Sequence, residues 1–132
     1  MNIASLGLHQ DELITSLSLL DLDFDVVAIT ETKIRYRSTP IFDPSISGYQ
    51  YFQTPSECAS GGVILYTKDH IIRKRRTDLE KKMYKSRELE SVFIEVINEG
   101  KKNKIYACIY RHPSMDIEDF NNNYLSPLMD TI

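Results

Sequence analysis

Apolar positions along the chain fall into several short continuous or alternating runs and two stretches with helical spacing. MNIASL (1–6) is strand-like. Leu13, Ile14, Leu17 and Leu20 recur at helical intervals and predict a helix over 10–20, with Asp11 and Glu12 in the first turn, where the helix dipole favours acids. VVAIT, apolar or β-branched throughout, predicts a strand over 24–30, and YQYF predicts a short one over 49–52. GGVILYTK (61–68) reads as a strand opened by two glycines, which permit a close or unusual backbone approach. LESVFIEVI (89–97) alternates, so that Leu89, Val92 or Phe93, and Ile94 to Ile97 face a core between Glu90 and Glu95. KIYACIYR (104–111) is a further strand. A last helix starts near Asp116, with Glu118 and Asp119 in its first turn and Ile117, Phe120, Tyr124 and Leu128 on one face; Pro127 should end or kink it.

That order of elements is α/β in the mixed α+β sense, with hairpins in the middle. Two helices lying on one face of a mixed sheet would leave the other face bare, and a bare apolar face promotes self-association. The 132 residues suffice for one domain, and no disulfide or metal staple is required at this size. Cys58 and Cys108 have neither a framework nor a metal-ligand spacing and suit a reducing compartment, Cys108 as a buried thiol. No apolar run is long enough to span a bilayer.

Charge changes the picture only locally. The net charge of −3 argues against a general nucleic-acid binder. It conceals a block over 68–87 with 9 Lys or Arg against 3 acids, set in an otherwise acidic chain. Such a block can meet phosphates, but as a sequence feature it reads as a solvated loop between strands.

Four strings carry the chemistry: NIASL (2–6), DVVAITETK (25–33), SGGVILYTK (60–68) and IYRHP (109–113). A carboxylate that ends a strand is by itself ordinary surface charge. Together and in this order, the strings resemble the endonuclease/exonuclease/phosphatase superfamily, most of all the endonuclease domain preceding the reverse transcriptase of non-LTR (LINE-type) retrotransposons. The resemblance implies a four-layer α/β sandwich and Mg2+-dependent hydrolysis of a DNA phosphodiester, with Mn2+ an alternative ion. Matched position by position, it implies Glu31 as metal ligand and Asn2 as a residue that positions the metal carboxylate and the phosphate. It further implies Tyr110 as a phosphate contact, with Arg111 beside it. It also implies DNA as partner, an intracellular and nuclear setting, and no membrane. The physical logic is general. Mg2+ is a hard ion that keeps several waters, so one carboxylate can suffice, while an amide, a phenol and a guanidinium supply phosphate donors.

The departures shape the expectation equally. The superfamily's G-D-x-N and S-D-H strings are absent, and His9, His70 and His112 lack the matching aspartate context, which leaves them surface or structural roles. Residues 1–132 are therefore expected to form half of the sandwich, a single partial domain cut at both ends and inactive alone. The alternatives are a decayed retrotransposon fragment without enzymatic role, or a repair nuclease or phosphoesterase of the same fold.

Overall fold

The structure is a computed structural model that describes residues 1–19, 23–36 and 42–132. Leu20 of the expected helical stripe and Pro40 of the following loop lie outside the described residues. The first helix, α1 (Leu6–Leu19), begins four residues before its predicted start, so Asp11 and Glu12 lie inside the helix rather than in its first turn. Its buried side chains are Leu6 and Leu13, with Leu17 packed alongside; Ile14 stays 36% exposed.

Among the described residues, six strands follow in two antiparallel sheets. β1 (Val26–Thr30), β2 (Tyr49–Thr54) and β3 (Val63–Lys68) form the first, with β3 in the centre. Thr30, Val63 and Thr54 stand side by side at one end of it. On the outer side of β1, Asn2 pairs with Thr30 in parallel, which is all that MNIASL contributes as strand. β4 (Arg73–Arg75), β5 (Leu89–Val96) and β6 (Lys104–Arg111) form the second sheet, with β5 in the centre.

The two sheets face each other. Val63 and Leu65 of β3 pack on Val92 and Ile94 of β5 and on Cys108 of β6. Polar bonds cross the same gap: Thr54 Oγ1 donates to Ser91 O at 2.8 Å and Cys108 Sγ to Ile29 O at 3.4 Å. Burial pushes the Cys108 thiol pKa up to about 11, so it remains an unreactive core group. Outside the first sheet, Leu6 and Leu13 of α1 cover Val27, Ile29, Ile64 and Tyr66. Outside the second, α2 (Thr77–Lys82) and the C-terminal helix cover Leu89 and Phe93.

Three expectations are thereby corrected. The α/β class holds, but the helices lie on opposite outer faces, giving an α/β/β/α order of layers. The inner sheet face expected to be bare is occupied by the other sheet, which removes the basis for self-association. β5 does not alternate between core and solvent: Leu89 to Ile94 are all buried, the odd set under the helices and the even set against β3.

The basic block also folds. It forms β4 and α2 because Leu79 and Met83 reach the core and the charges between them find partners. Arg75 binds Glu80, Arg76 binds Asp78 and Glu95, and Lys85 binds Glu88 and Asp119. Hydrogen bonding from Arg76 holds the Asp78 carboxyl down to about 2.

The C-terminal helix runs as α3 (Ile117–Asp119), a π-helical turn (Phe120–Leu125) and α4 (Ser126–Thr131). Asp116 caps it, accepting from the Glu118 and Asp119 N–H groups. Pro127 does not end the helix. It lacks an N–H and its ring would strike the carbonyl four residues back, and the wider π turn just before it relieves both problems. Leu128 is buried and Phe120 and Tyr124 pack against the same cluster, whereas Ile117 is 51% exposed and does not share that face.

Phe93→Ala should cost about 3–5 kcal/mol by emptying the core under α2, against about 1 kcal/mol for Asp116→Ala at the cap. Urea unfolding of the two variants checks the ranking, and equal costs would contradict this layering.

Candidate active site

β1 ends at Thr30, and Glu31 turns the chain with a φ of +57°, in the left-handed region a side chain rarely adopts. Lys33 does the same at +56°. What holds so unfavourable a turn is the opposite strand's entry. Gly61 and Gly62 precede β3 with φ of +93° and +85°; Gly62 O accepts from Thr32 N at 3.2 Å and Gly61 O from Lys33 N at 2.9 Å. A Cβ on Gly62 would lie 2.3 Å from Thr32 Oγ1, so the approach read from the two glycines is real and excludes any side chain. Leu6 N donates to Thr32 O from the start of α1 and closes the third side.

Tyr110 reaches the same corner from the second sheet. It is the penultimate residue of β6 and belongs to the layer between the sheets. Burial raises its pKa first, the charge of Glu31 next, and hydrogen bonding with Glu31 after that, with Ser60 also beside the phenol. The expected carboxylate and phenol thus meet, although 79 residues separate them in sequence. Asn2 sits one step away, its backbone beside Thr30, but its Oδ1 accepts from Ala4 N at 3.1 Å. Arg111 is not brought to the pair. Successive strand residues point to opposite faces, and Arg111 Nη1 donates to the carbonyls of Met115 and His112, tying β6 to the last helix.

Beneath the pair lies a group that sequence reasoning missed. Glu90 is only 3% exposed. Its Oε2 accepts from Gly62 N at 2.6 Å, and its Oε1 lies 2.8 Å from Ser56 Oγ and 3.2 Å from His112 Nε2. Ser56 shares its single hydroxyl proton between Glu90 and the Ser60 carbonyl. His112 Nε2 faces a carboxylate and so carries the proton. The imidazole ring meets Tyr110 edge to face, centroids 4.7 Å apart. A carboxylate inside an apolar strand reads as solvent-facing; the signal available was its parity with Val92 and Ile94, which point at the other sheet. His112 is fully enclosed, at 4% exposure.

No family model and no curated protein sequence matches the chain. Solved structures do. The catalytic domain of Xenopus laevis APE2 superimposes with a TM-score of 0.56 at 16% identity, covering 98% of this chain and 50% of that one. The AP endonuclease LMAP from Leishmania major gives 0.54 at 15% identity, covering 98% and 45%. The layered α/β fold described above is shared with part of these AP endonuclease structures. This chain spans about half the length of those AP endonucleases.

Glu31 supplies a hard oxygen donor, which suits Mg2+ or Mn2+ as one protein ligand beside water. Among the described residues, no cluster of three or more His, Cys, Asp or Glu forms a fuller cage. The donor set therefore fits a metal held by a single carboxylate and does not fit an enclosed structural site. A hollow of about 390 Å³ between Tyr36, Arg75, Glu80 and Tyr84 lies on the β4 side and includes neither Glu31 nor Tyr110; its guanidinium is committed to Glu80.

At position 31, Glu31→Gly and Glu31→Ala both remove the carboxylate, but only alanine keeps the strained Cβ. The glycine variant should be the more stable of the two by about 1 kcal/mol in urea unfolding.

Proposed function

We propose that this chain contributes one side of a DNA phosphodiester-cleaving site, of the kind found in LINE-type retrotransposon endonucleases. The observation that carries the reading is the meeting of Glu31 and Tyr110 at one edge of the paired sheets. Glu31 would hold Mg2+, which when bound neutralises charge developing on the leaving oxygen. Tyr110, kept protonated by its surroundings, gives its phenol O–H to Glu31 and would turn it to a phosphate oxygen on binding. The backbone bonds of Thr32 and Lys33 to the glycine strap hold the turn that carries Glu31.

Residues 1–132 bind rather than cut. Hydrolysis needs a group to take the proton of the attacking water, and His112, only 4% exposed beneath the pair, is closed to solvent. The likeness to AP endonucleases favours a second reading, a repair nuclease acting at damaged sites, over a general phosphoesterase.

Supercoiled plasmid, intact or carrying abasic sites, is expected to remain uncut by residues 1–132 with Mg2+. Cleavage that disappears in Glu31→Ala would overturn the inactivity, and its restriction to the abasic plasmid would select the repair reading. Mn2+ binding followed by electron paramagnetic resonance should weaken about tenfold or more in Glu31→Gln; undiminished binding would sink the metal assignment.

A further inference from the structure

We infer that the buried pair Glu90 and His112 positions both halves of the Glu31–Tyr110 corner, with Glu90 setting the backbone under Glu31 and His112 setting the ring of Tyr110. The inference rests on the functional reading only in treating that corner as a site.

Two paths leave the Glu90 carboxylate. The first runs through Oε2 to Gly62 N at 2.6 Å. That bond fixes the glycine strap whose two carbonyls accept from Thr32 and Lys33, the residues directly behind Glu31. Glu31 cannot relax from φ +57° without moving these amides, and they cannot move without displacing the strap. The second path runs through Oε1 to His112 Nε2, and from the imidazole edge to the Tyr110 ring. His112 N donates to Glu88 O, so its backbone is anchored to the same end of β5 that carries Glu90.

The space between the paths is closed. A Cβ on Gly61 would stand 2.8 Å from Glu90 Oε2 and 2.9 Å from His112 Cε1. Glycine is required there because carboxylate and imidazole already fill the room, at a φ of +93° that disfavours side chains in any case.

A carboxylate buried to this degree would be costly without partners, and here its two oxygens accept from three residues. An apolar residue at 90 would fill the layer next to Val92 as well. What it could not do is hold the strap and the imidazole at once. Glu90 and His112 are positioning residues, since both are buried beneath the pair and contact its supports.

The test measures coupling within the corner, without metal or DNA. The tyrosines of residues 1–132 are labelled with 3-fluorotyrosine, and the Tyr110 fluorine resonance is assigned by its loss in Tyr110→Phe. Glu31→Gln should displace that resonance in the otherwise unchanged protein. In a Glu90→Gln background the same change should displace it by less than half as much, while the Tyr49 and Tyr106 resonances hold their places. Comparing backgrounds removes the direct effect of the Glu90 charge on Tyr110.

Equal displacements in the two backgrounds, or a general shift of every tyrosine, would overturn the inference. Should Glu90→Gln fail to fold by circular dichroism, Ser56→Ala, which keeps the carboxylate and removes one of its donors, takes its place in the same comparison. Unfolding of both variants would assign the pair to the fold rather than to the site and would equally overturn it. Loss of Mn2+ binding or absence of nicking bears on the proposed function alone and leaves this result unaffected.

Discussion

The packing of β3 against β5 is the constraint from which the remaining arrangement follows. Both are central strands, both are buried on both faces, and each carries one set of side chains into the other's sheet. Neither sheet could keep three strands in water with apolar residues on both sides, so the hydrophobic effect requires four layers rather than two. Once β3 and β5 face each other, their neighbours β1 and β6 are carried to the same edge, and their ends lie at the same height. The corner that holds Glu31 and Tyr110 is a by-product of that alignment, held by the glycine strap before β3, the start of α1 and the end of β6.

The corner is also where backbone and charge are least comfortable. Glu31 and Lys33 occupy left-handed conformations, and Glu90 lies in the layer between the sheets. Each departure is compensated nearby: glycine carbonyls receive the amides behind Glu31, and amide, hydroxyl and imidazole donors surround Glu90. Strain held in place by over-determined surroundings is common where side chains are presented to a ligand. By contrast, the charges of the block over 68–87 are mostly partly exposed and paired, and they serve the fold of β4 and α2.

Much of the element order was legible because β1, β3, β5 and β6 carry β-branched or apolar runs bounded by turn residues. The layering was not. Burial on both faces of β5 erases the alternation that tells an inner from an outer face, and nothing local says on which side of a sheet a helix returns. The block over 68–87 read as loop because charge density masked Leu79 and Met83, two residues whose contacts lie far away in sequence. Glu31 and Tyr110 could be named from short motifs. Their partner Glu90 could not, because its donors Ser56, Gly62 and His112 come from two other segments of the chain.

The π turn before Pro127 carries a consequence for how the C-terminal helix can change. An underwound turn holds one more residue than the same length of ordinary helix. Deleting one residue of the exposed run Asn121–Asn123 would restore regular pitch and still deliver Leu128 to its cluster, but it would close the helix onto the proline ring. Replacing Pro127 alone would leave a widened turn with no ring to accommodate. Insertion and imino acid are thus epistatic: each is a defect without the other, and a lineage could shed them together far more readily than one at a time.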